Sequence, residues 1–319
     1  MNVALIDVDN WTHLDKCFPN LPLMKLSAWH KSKGDSVEWY NSTKQYDICY
    51  MSKVFTFTDD YTDQINAKQI IKGGSGYSIS LKEGREIFDS DHHKNLDYEI
   101  EHIYPDYDLY NIKHTAYGFM SRGCPRGCQF CHVERKEGRR SVKVANLNEF
   151  WNGQKNIELM DPNTLACPDW KDILQQLIDS KAYVNFNQGV DIRLMTEEKA
   201  KMIMQIKVRQ IHFAWDRYQD KELIVPKLKQ FKEITGWKRS KVSVYILTNF
   251  DTTIEQDIER VMFCRSLDFN PYVMRYDKKN IKRGSEINAL ARYVNNKMVW
   301  WKCPSFEQYK EDVKKGLWR

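Results

Sequence analysis

The chain has 319 residues, 42% hydrophobic and 13% aromatic, enough apolar material for one large globular core or two ordinary ones. Its formal net charge of +6 comes from 49 Lys plus Arg against 43 Asp plus Glu, a thin excess that permits a nucleic-acid substrate without arguing for one. No run approaches the roughly 20 apolar residues that span a bilayer, and the start MNVALIDVDN has none of the parts of a signal peptide, so the expectation is a cytoplasmic protein with no membrane partner.

Taken in chain order, Val3 to Asp7 is a short apolar run ending in acidic and turn residues, the pattern of a buried strand whose carboxyl end faces a crevice. An amphipathic helix is expected over Pro22 to His30, closed by the cation and glycine of Lys33-Gly34-Asp35. Strands are expected at Ser36 to Tyr40, Asp47 to Met51 and Gln69 to Lys72, so the first hundred residues alternate strand and helix like a small doubly wound, Rossmann-like unit. Ser90 to His114, rich in Asp, His and Tyr and without a sustained period, reads as an ordered linker. The resulting partition is a first domain over residues 1–111 and a second over 112–319. In the second, apolar runs begin near Ala116, Ile157, Tyr183, Ile211, Val242 and Tyr272, each followed by a stretch with helical spacing such as Asp169 to Ser180 or Thr196 to Ile206. Six βα units joined by right-handed crossovers curl into a partial parallel (β/α)6 barrel, with a helical extension at the C-terminus and the strand carboxyl ends converging on one mouth.

Eight cysteines are present. Five of them (Cys17, Cys49, Cys167, Cys264, Cys303) are scattered, and three crowd into one loop after the first strand of the second domain, as Cys124-Pro125-Arg126-Gly127-Cys128-Gln129-Phe130-Cys131. In a reducing compartment such crowding points to metal rather than disulfides. Thiolates are the usual ligands of iron–sulfur clusters, and the flanking glycines and proline let a short backbone wrap around one. Three thiolates on a four-iron cluster leave one iron open. A structural zinc site wants a fourth ligand, and His132 is badly placed to share a tetrahedron with its neighbour Cys131. A cluster used for electron transfer alone also wants a fourth ligand, which Cys167 offers. Cys264 and Cys303 read as small buried side chains rather than as a catalytic thiol or hydrogen donor.

The C-x3-C-x2-C spacing, with Phe130 just before the third cysteine, resembles the radical S-adenosylmethionine superfamily. Residues 131–138 (Cys-His-Val-Glu-Arg-Lys-Glu-Gly), Leu159 to Asn163, Asn187 to Arg193 and Phe213 to Arg217 look like the branch that carries a cobalamin-binding-like domain before the barrel, and the resemblance covers the whole chain. It implies a [4Fe-4S] cluster on Cys124, Cys128 and Cys131 and S-adenosylmethionine at its open iron. Reductive cleavage then gives a 5'-deoxyadenosyl radical, with electrons from an external flavodoxin-like or ferredoxin-like donor. One departure stands out. Cobalamin domains carry D-x-H-x-x-G after the first strand, whereas this chain has Asp7-Val8-Asp9-Asn10-Trp11-Thr12-His13, without that spacing or the glycine. Gly73-Gly74-Ser75-Gly76 resembles the glycine turn of that fold, although such a cluster is more often simply a turn. The expectation is a kept fold without bound cobalamin.

By the same resemblance, Asp161 and Asn163 meet the ammonium of S-adenosylmethionine, the alternative being a helix cap. Gln188 and Arg193 lie past the third barrel strand, where a guanidinium suits the methionine carboxylate; a structural ion pair between Asp191 and a neighbouring strand is the competing reading. Asp216 and Arg217 face the same choice, and Asn249 is expected near the ribose, with Phe130 also in the cofactor site. The run His132 to Lys143 holds Arg135, Lys136, Arg139, Arg140 and Lys143, which suit a phosphate backbone, although a solvated loop is the preferred reading. Taken together, the residues describe a radical S-adenosylmethionine enzyme abstracting hydrogen from a substrate, RNA or peptide ranked ahead of a small metabolite. The alternative is an iron–sulfur electron-transfer protein on the same fold.

Overall fold

The computed structural model describes residues 1–11, 18–82, 85–90 and 95–318, the side chains of 81–86 excepted. His13 and Cys17 lie outside the described residues. The chain is mixed α/β with parallel sheets and forms two compact units, Met1–Glu158 and Leu159–Arg319.

In the first unit, β1 (Asn2–Asp7), β2 (Ser36–Trp39), β3 (Tyr46–Ser52) and β4 (Ala67–Gly73) form a parallel sheet in the order β2-β1-β3-β4. Five of the six residues of β1 are buried, as a central parallel strand requires because it is covered on both faces. Asn20 caps the helix Leu21–Ser32 by accepting from the Leu23 amide, and Pro22 sits in its first turn, where no amide donor is missed. This helix covers one face of the sheet, where Leu23 and Leu26 pack with Val3, Leu5 and Ile100.

The doubly wound expectation fails beyond this point. No helix of comparable length follows β2 or β3, and the other face is closed by aromatic loop residues, with Tyr40 and Tyr61 against Ala4, Ile6, Cys49 and Met51. The connection from Tyr40 to Gln45 is too short for a helix. That from Lys53 to Asn66 is rich in Thr and Asp, whose side chains compete with helical backbone bonds. Short strands β5 (Ile79–Lys82) and β6 (Arg85–Phe88) pair antiparallel, and the linker contains two single turns, Tyr98–Glu101 and Tyr107–Tyr110.

Strands appear at all six barrel positions expected from sequence. The first unit carries β7 (Thr115–Gly118) and, beside it, β10 (Asn156–Leu159). Between them, where a helix was expected, come β8 (Ser121–Arg122), a glycine-rich loop, a short helix Val133–Glu137 and β9 (Val142–Lys143). Glycine, proline and a run of like charges leave no apolar stripe there from which a longer helix would gain.

In the second unit, β11 (Tyr183–Val190), β12 (Lys207–Ala214), β13 (Val242–Thr248) and β14 (Asn270–Arg275) are parallel and adjacent in chain order. The helices Trp170–Ser180, Glu197–Gln205, Lys221–Thr235 and Ile254–Ser266 alternate with them, each burying a stripe such as Ile173, Leu174, Leu177 and Ile178. Thr196 and Thr253 cap two of these helices, each cap contributing about 1 kcal/mol. Three further helices, Glu286–Asn295, Lys297–Lys302 and Phe306–Lys314, form the expected extension. Among the described residues no helix is long and apolar enough to cross a membrane.

Candidate functional site

The cysteine loop is built in the first unit. Its base is the two-residue ladder Ser121↔Lys143 and Arg122↔Val142, extended by a bond from the Val144 amide to the Met120 carbonyl (2.8 Å). At the end of β7, the Phe150 ring occupies the space a Gly118 side chain would fill, because a Cβ there would lie 2.3 Å from the ring. Inside the loop, the Cys124 amide donates to the Gly138 carbonyl (3.1 Å) and the Cys131 amide to the Cys128 carbonyl (3.0 Å). Two glycines are demanded by geometry. Gly123 (φ +86°) approaches the Arg140 carbonyl so closely that a Cβ would lie 2.0 Å from its oxygen, and at Gly127 (φ +60°) a Cβ would lie 2.5 Å from Glu134 Oε2.

Two acids of the short helix brace the loop, and sequence reasoning missed both. Glu137 accepts from the Gly123 amide and from the Arg122 guanidinium, each at 3.2 Å, and Arg122 lies over the Phe119 ring. Glu134 pairs with Arg139 and lies against Gly127. Their signal was present in the sequence as the only two carboxylates in an otherwise basic run. Lys136 of the same helix reaches the other way, to Ser75 Oγ at 2.6 Å, and burial lowers its pKa.

Cys124, Cys128, Cys131 and Phe130 are half-buried. Among the described residues no three His, Cys, Asp or Glu side chains are gathered as a ready-made metal site. The loop contributes instead the donor set, three thiols within eight residues on a backbone jointed by glycine, and that chemistry suits an iron–sulfur cluster. The Gly73–Gly76 turn has a structural role. The Gly76 amide donates to the Lys53 carbonyl (2.8 Å), and a Cβ on Gly74 would lie 2.3 Å from the same oxygen, so the chain's own Lys53 loop fills the turn.

The remaining sequence-derived candidates lie in the second unit. Asp161 and Asn163 are buried after β10, with Thr164 Oγ1 donating to Asp161 (3.4 Å). Asn163 precedes the turn Thr164–Ala166 without a side-chain cap bond. Strand β11 carries a bulge, since Phe186 aligns with Ile211 and Val190 with Phe213, and Asn187, Gln188 and Gly189 occupy it. Gln188 is exposed on the bulge, while a Cβ on Gly189 would lie 3.1 Å from Ala214 Cβ.

Arg193 is held by two carboxylates, Asp191 Oδ1 at 2.7 Å and Asp220 Oδ2 at 2.5 Å, so the ion pair expected of Asp191 with a neighbouring strand includes Arg193, two residues on. Asp216 shares this field. Burial lifts its pKa to about 6, against the opposing pull of Arg260 and Arg193. Because the folded-state pKa is raised, the carboxyl costs nothing below about pH 4, and its destabilisation of the fold grows between pH 4 and 6 and is fully present above 6. Asp216→Asn is therefore expected to match the wild type in urea unfolding at pH 4 and to exceed its stability by about 2–3 kcal/mol at pH 7.5; an advantage that did not grow with pH would refute this placement of the group.

Asn249 adopts φ +65° and donates its side-chain amide to the Tyr276 carbonyl at 3.0 Å, a turn role available to Asn because its short side chain tolerates left-handed backbone. Arg217 is largely exposed and 3.8 Å from Asp251. The sequence reading also passed over Arg260, fully buried in the helix Ile254–Ser266, which donates to the carbonyls of Trp215 (2.6 Å) and Leu247 (2.8 Å) and pairs with Asp257. Its signal was an i, i+3 Asp and Arg on the face that also carries Val261 and Cys264. His212 stacks on Tyr245 (4.8 Å, 18°), whose hydroxyl meets the Asn187 carbonyl at 3.4 Å, and burial pushes the imidazole down to about 4, so it is neutral at pH 7.

No protein-family profile and no curated protein matches the chain. Among solved structures, SuiB of Streptococcus suis bound to S-adenosylmethionine aligns at 14% identity with a TM-score of 0.43, over 59% of this chain and 48% of that one. SuiB bound to its precursor peptide SuiA aligns at 13% identity with a TM-score of 0.44, over 68% of this chain and 55% of that one. The chain thus spans about half the length of the SuiB chains it resembles.

Proposed function

We propose that this protein is a radical S-adenosylmethionine enzyme, with Cys124, Cys128 and Cys131 as the three protein ligands of a [4Fe-4S] cluster. The observation that carries the proposal is the C-x3-C-x2-C loop placed directly after the first of six strands in a βα series. When bound, such a cluster would pass an electron from an external flavodoxin-like or ferredoxin-like donor to the sulfonium of S-adenosylmethionine, whose S–C5' bond would break to leave methionine and a 5'-deoxyadenosyl radical able to take hydrogen from a substrate.

The chain's own residues have separate tasks in this reading. Gly123 and Gly127 let the loop turn tightly, and Glu134 and Glu137 hold its far side. Phe130 offers an apolar flank beside the third thiolate. Asp161 and Asn163 receive the ammonium of the cofactor, and Gln188 lies on the bulge where a cofactor carboxylate is bound. Arg193, oriented by Asp191 and Asp220, is the guanidinium assigned to the same carboxylate. Asp216, held near neutrality, can both donate and accept a hydrogen bond at pH 6. Asn249 shapes the turn against which the adenosine lies. The substrate is a nucleic acid or a peptide.

Anaerobic reconstitution with iron and sulfide, followed by S-adenosylmethionine and dithionite, tests the proposal. Iron uptake and release of 5'-deoxyadenosine are the expected results. Iron uptake with no cleavage in the presence of RNA or peptide candidates favours an electron-transfer protein, and absence of iron uptake removes both readings.

A further inference from the structure

Nearly all of the chain's basic excess sits in one segment. Residues 122–143 hold seven Lys and Arg against two Glu, a local charge of +5 in a chain whose total is +6. This is the cysteine loop with its hairpin base, and Arg126, Arg135, Arg139 and Arg140 are exposed on it. The two carboxylates are engaged within the loop, Glu137 on Gly123 and Arg122, Glu134 on Arg139 and against Gly127. So dense a cluster of one sign costs self-repulsion and attracts a polyanion.

The same unit presents a pair of exposed rings. Phe55 and Phe57 stack on each other at 5.1 Å and 19°, with 51% and 61% of their surface exposed. The loop that carries them is pinned, because the Asp9 carboxylate accepts from the amides of Val54 (2.5 Å) and Phe55 (3.2 Å) and from Thr58 Oγ1 (2.7 Å). The rings are thus held out in water by a fixed backbone. The glycine turn bridges this loop and the basic segment. The Lys53 carbonyl accepts from Gly76, and Ser75 of that glycine turn accepts from Lys136.

From these two features we infer that the first unit binds a single-stranded nucleic acid, with exposed arginines on phosphates and Phe55 and Phe57 stacking on unpaired bases. An acidic peptide answers the arginines but offers no flat groups in series for the rings. A duplex offers phosphates but keeps its bases stacked on one another. The inference deepens the proposed function by making a nucleic acid its substrate class.

The full-length protein is titrated into a labelled single-stranded RNA across a salt series, beside a duplex of the same sequence and a poly-glutamate chain, with iron content measured on the same preparations. The single strand is expected to bind most tightly. R139A/R140A should flatten the log–log salt slope by about 1.4, two phosphate contacts at about 0.7 each, while R139K/R140K keeps it. F55A/F57A should weaken binding by about tenfold or more at an unchanged slope. Poly-glutamate or duplex binding as tight as the single strand, or variants that leave both affinity and slope at wild-type values, would overturn the inference. Iron uptake and cofactor cleavage without RNA binding remove this inference alone, whereas RNA binding by a chain that takes up no iron keeps it and removes the proposed function.

Discussion

Arg260→Ala is expected to lower the unfolding free energy by about 3–5 kcal/mol, read by urea denaturation with the fluorescence of the buried Trp215 as probe. The size follows from what is left behind. Asp257 is almost fully buried and loses its counter-charge, while the Trp215 and Leu247 carbonyls lose their side-chain donor. Those carbonyls sit at the carboxyl ends of β12 and β13, so one guanidinium on a neighbouring helix ties two strand ends together. Asp257→Ala combined with Arg260→Ala should cost less than Arg260→Ala alone, because no unpaired charge then remains inside. A single variant within 0.5 kcal/mol of wild type, by the order expected of ordinary surface changes, would show that the strand ends are held by other means.

Cys128→Ala is expected to reduce the iron bound after reconstitution to background and with it the broad visible absorption of an iron–sulfur cluster. The middle cysteine lies between two others four and three positions away, and among the described residues the remaining cysteines, Cys49, Cys167, Cys264 and Cys303, are all buried. A variant that kept its full iron content would reject the ligand assignment. Cys264→Ala supplies the control. That thiol is fully buried on the helix Ile254–Ser266, and burial raises its pKa to about 12, so it stays protonated and unsuited to metal.

Much of the architecture was legible because its causes are local. The strands at Ala116, Ile157, Tyr183, Ile211, Val242 and Tyr272 appear because apolar runs of that length bury only as strands between helical stretches, and Thr196 caps its helix as its side chain predicts. The doubly wound first domain was misread because covering a sheet face needs apolar area rather than a helix as such. Tyr40 and Tyr61 supply that area from loops, and no period in the sequence reports it. At the candidate site the cysteines carried their own spacing. The partners of Arg193 did not, because Asp220 lies 27 residues on and meets it only through the fold. The left-handed turn at Asn249, with its side-chain bond to the Tyr276 carbonyl, was not legible because that partner also lies 27 residues on.

The two-residue ladder under the cysteine loop also bears on the order of assembly. Residues 123–141 are closed at their base by a separate two-pair ladder and are also tied by the Glu137 brace and the Lys136 bond to Ser75, so the loop is a flap whose opening breaks those bonds while β7 keeps its place beside β10. Such a flap opens at far lower free energy than the whole domain unfolds. On the proposed reading, the three thiols would close around an incoming inorganic cluster on an already folded chain, and the last free energy of ordering would then come from the metal centre and not from the polypeptide core.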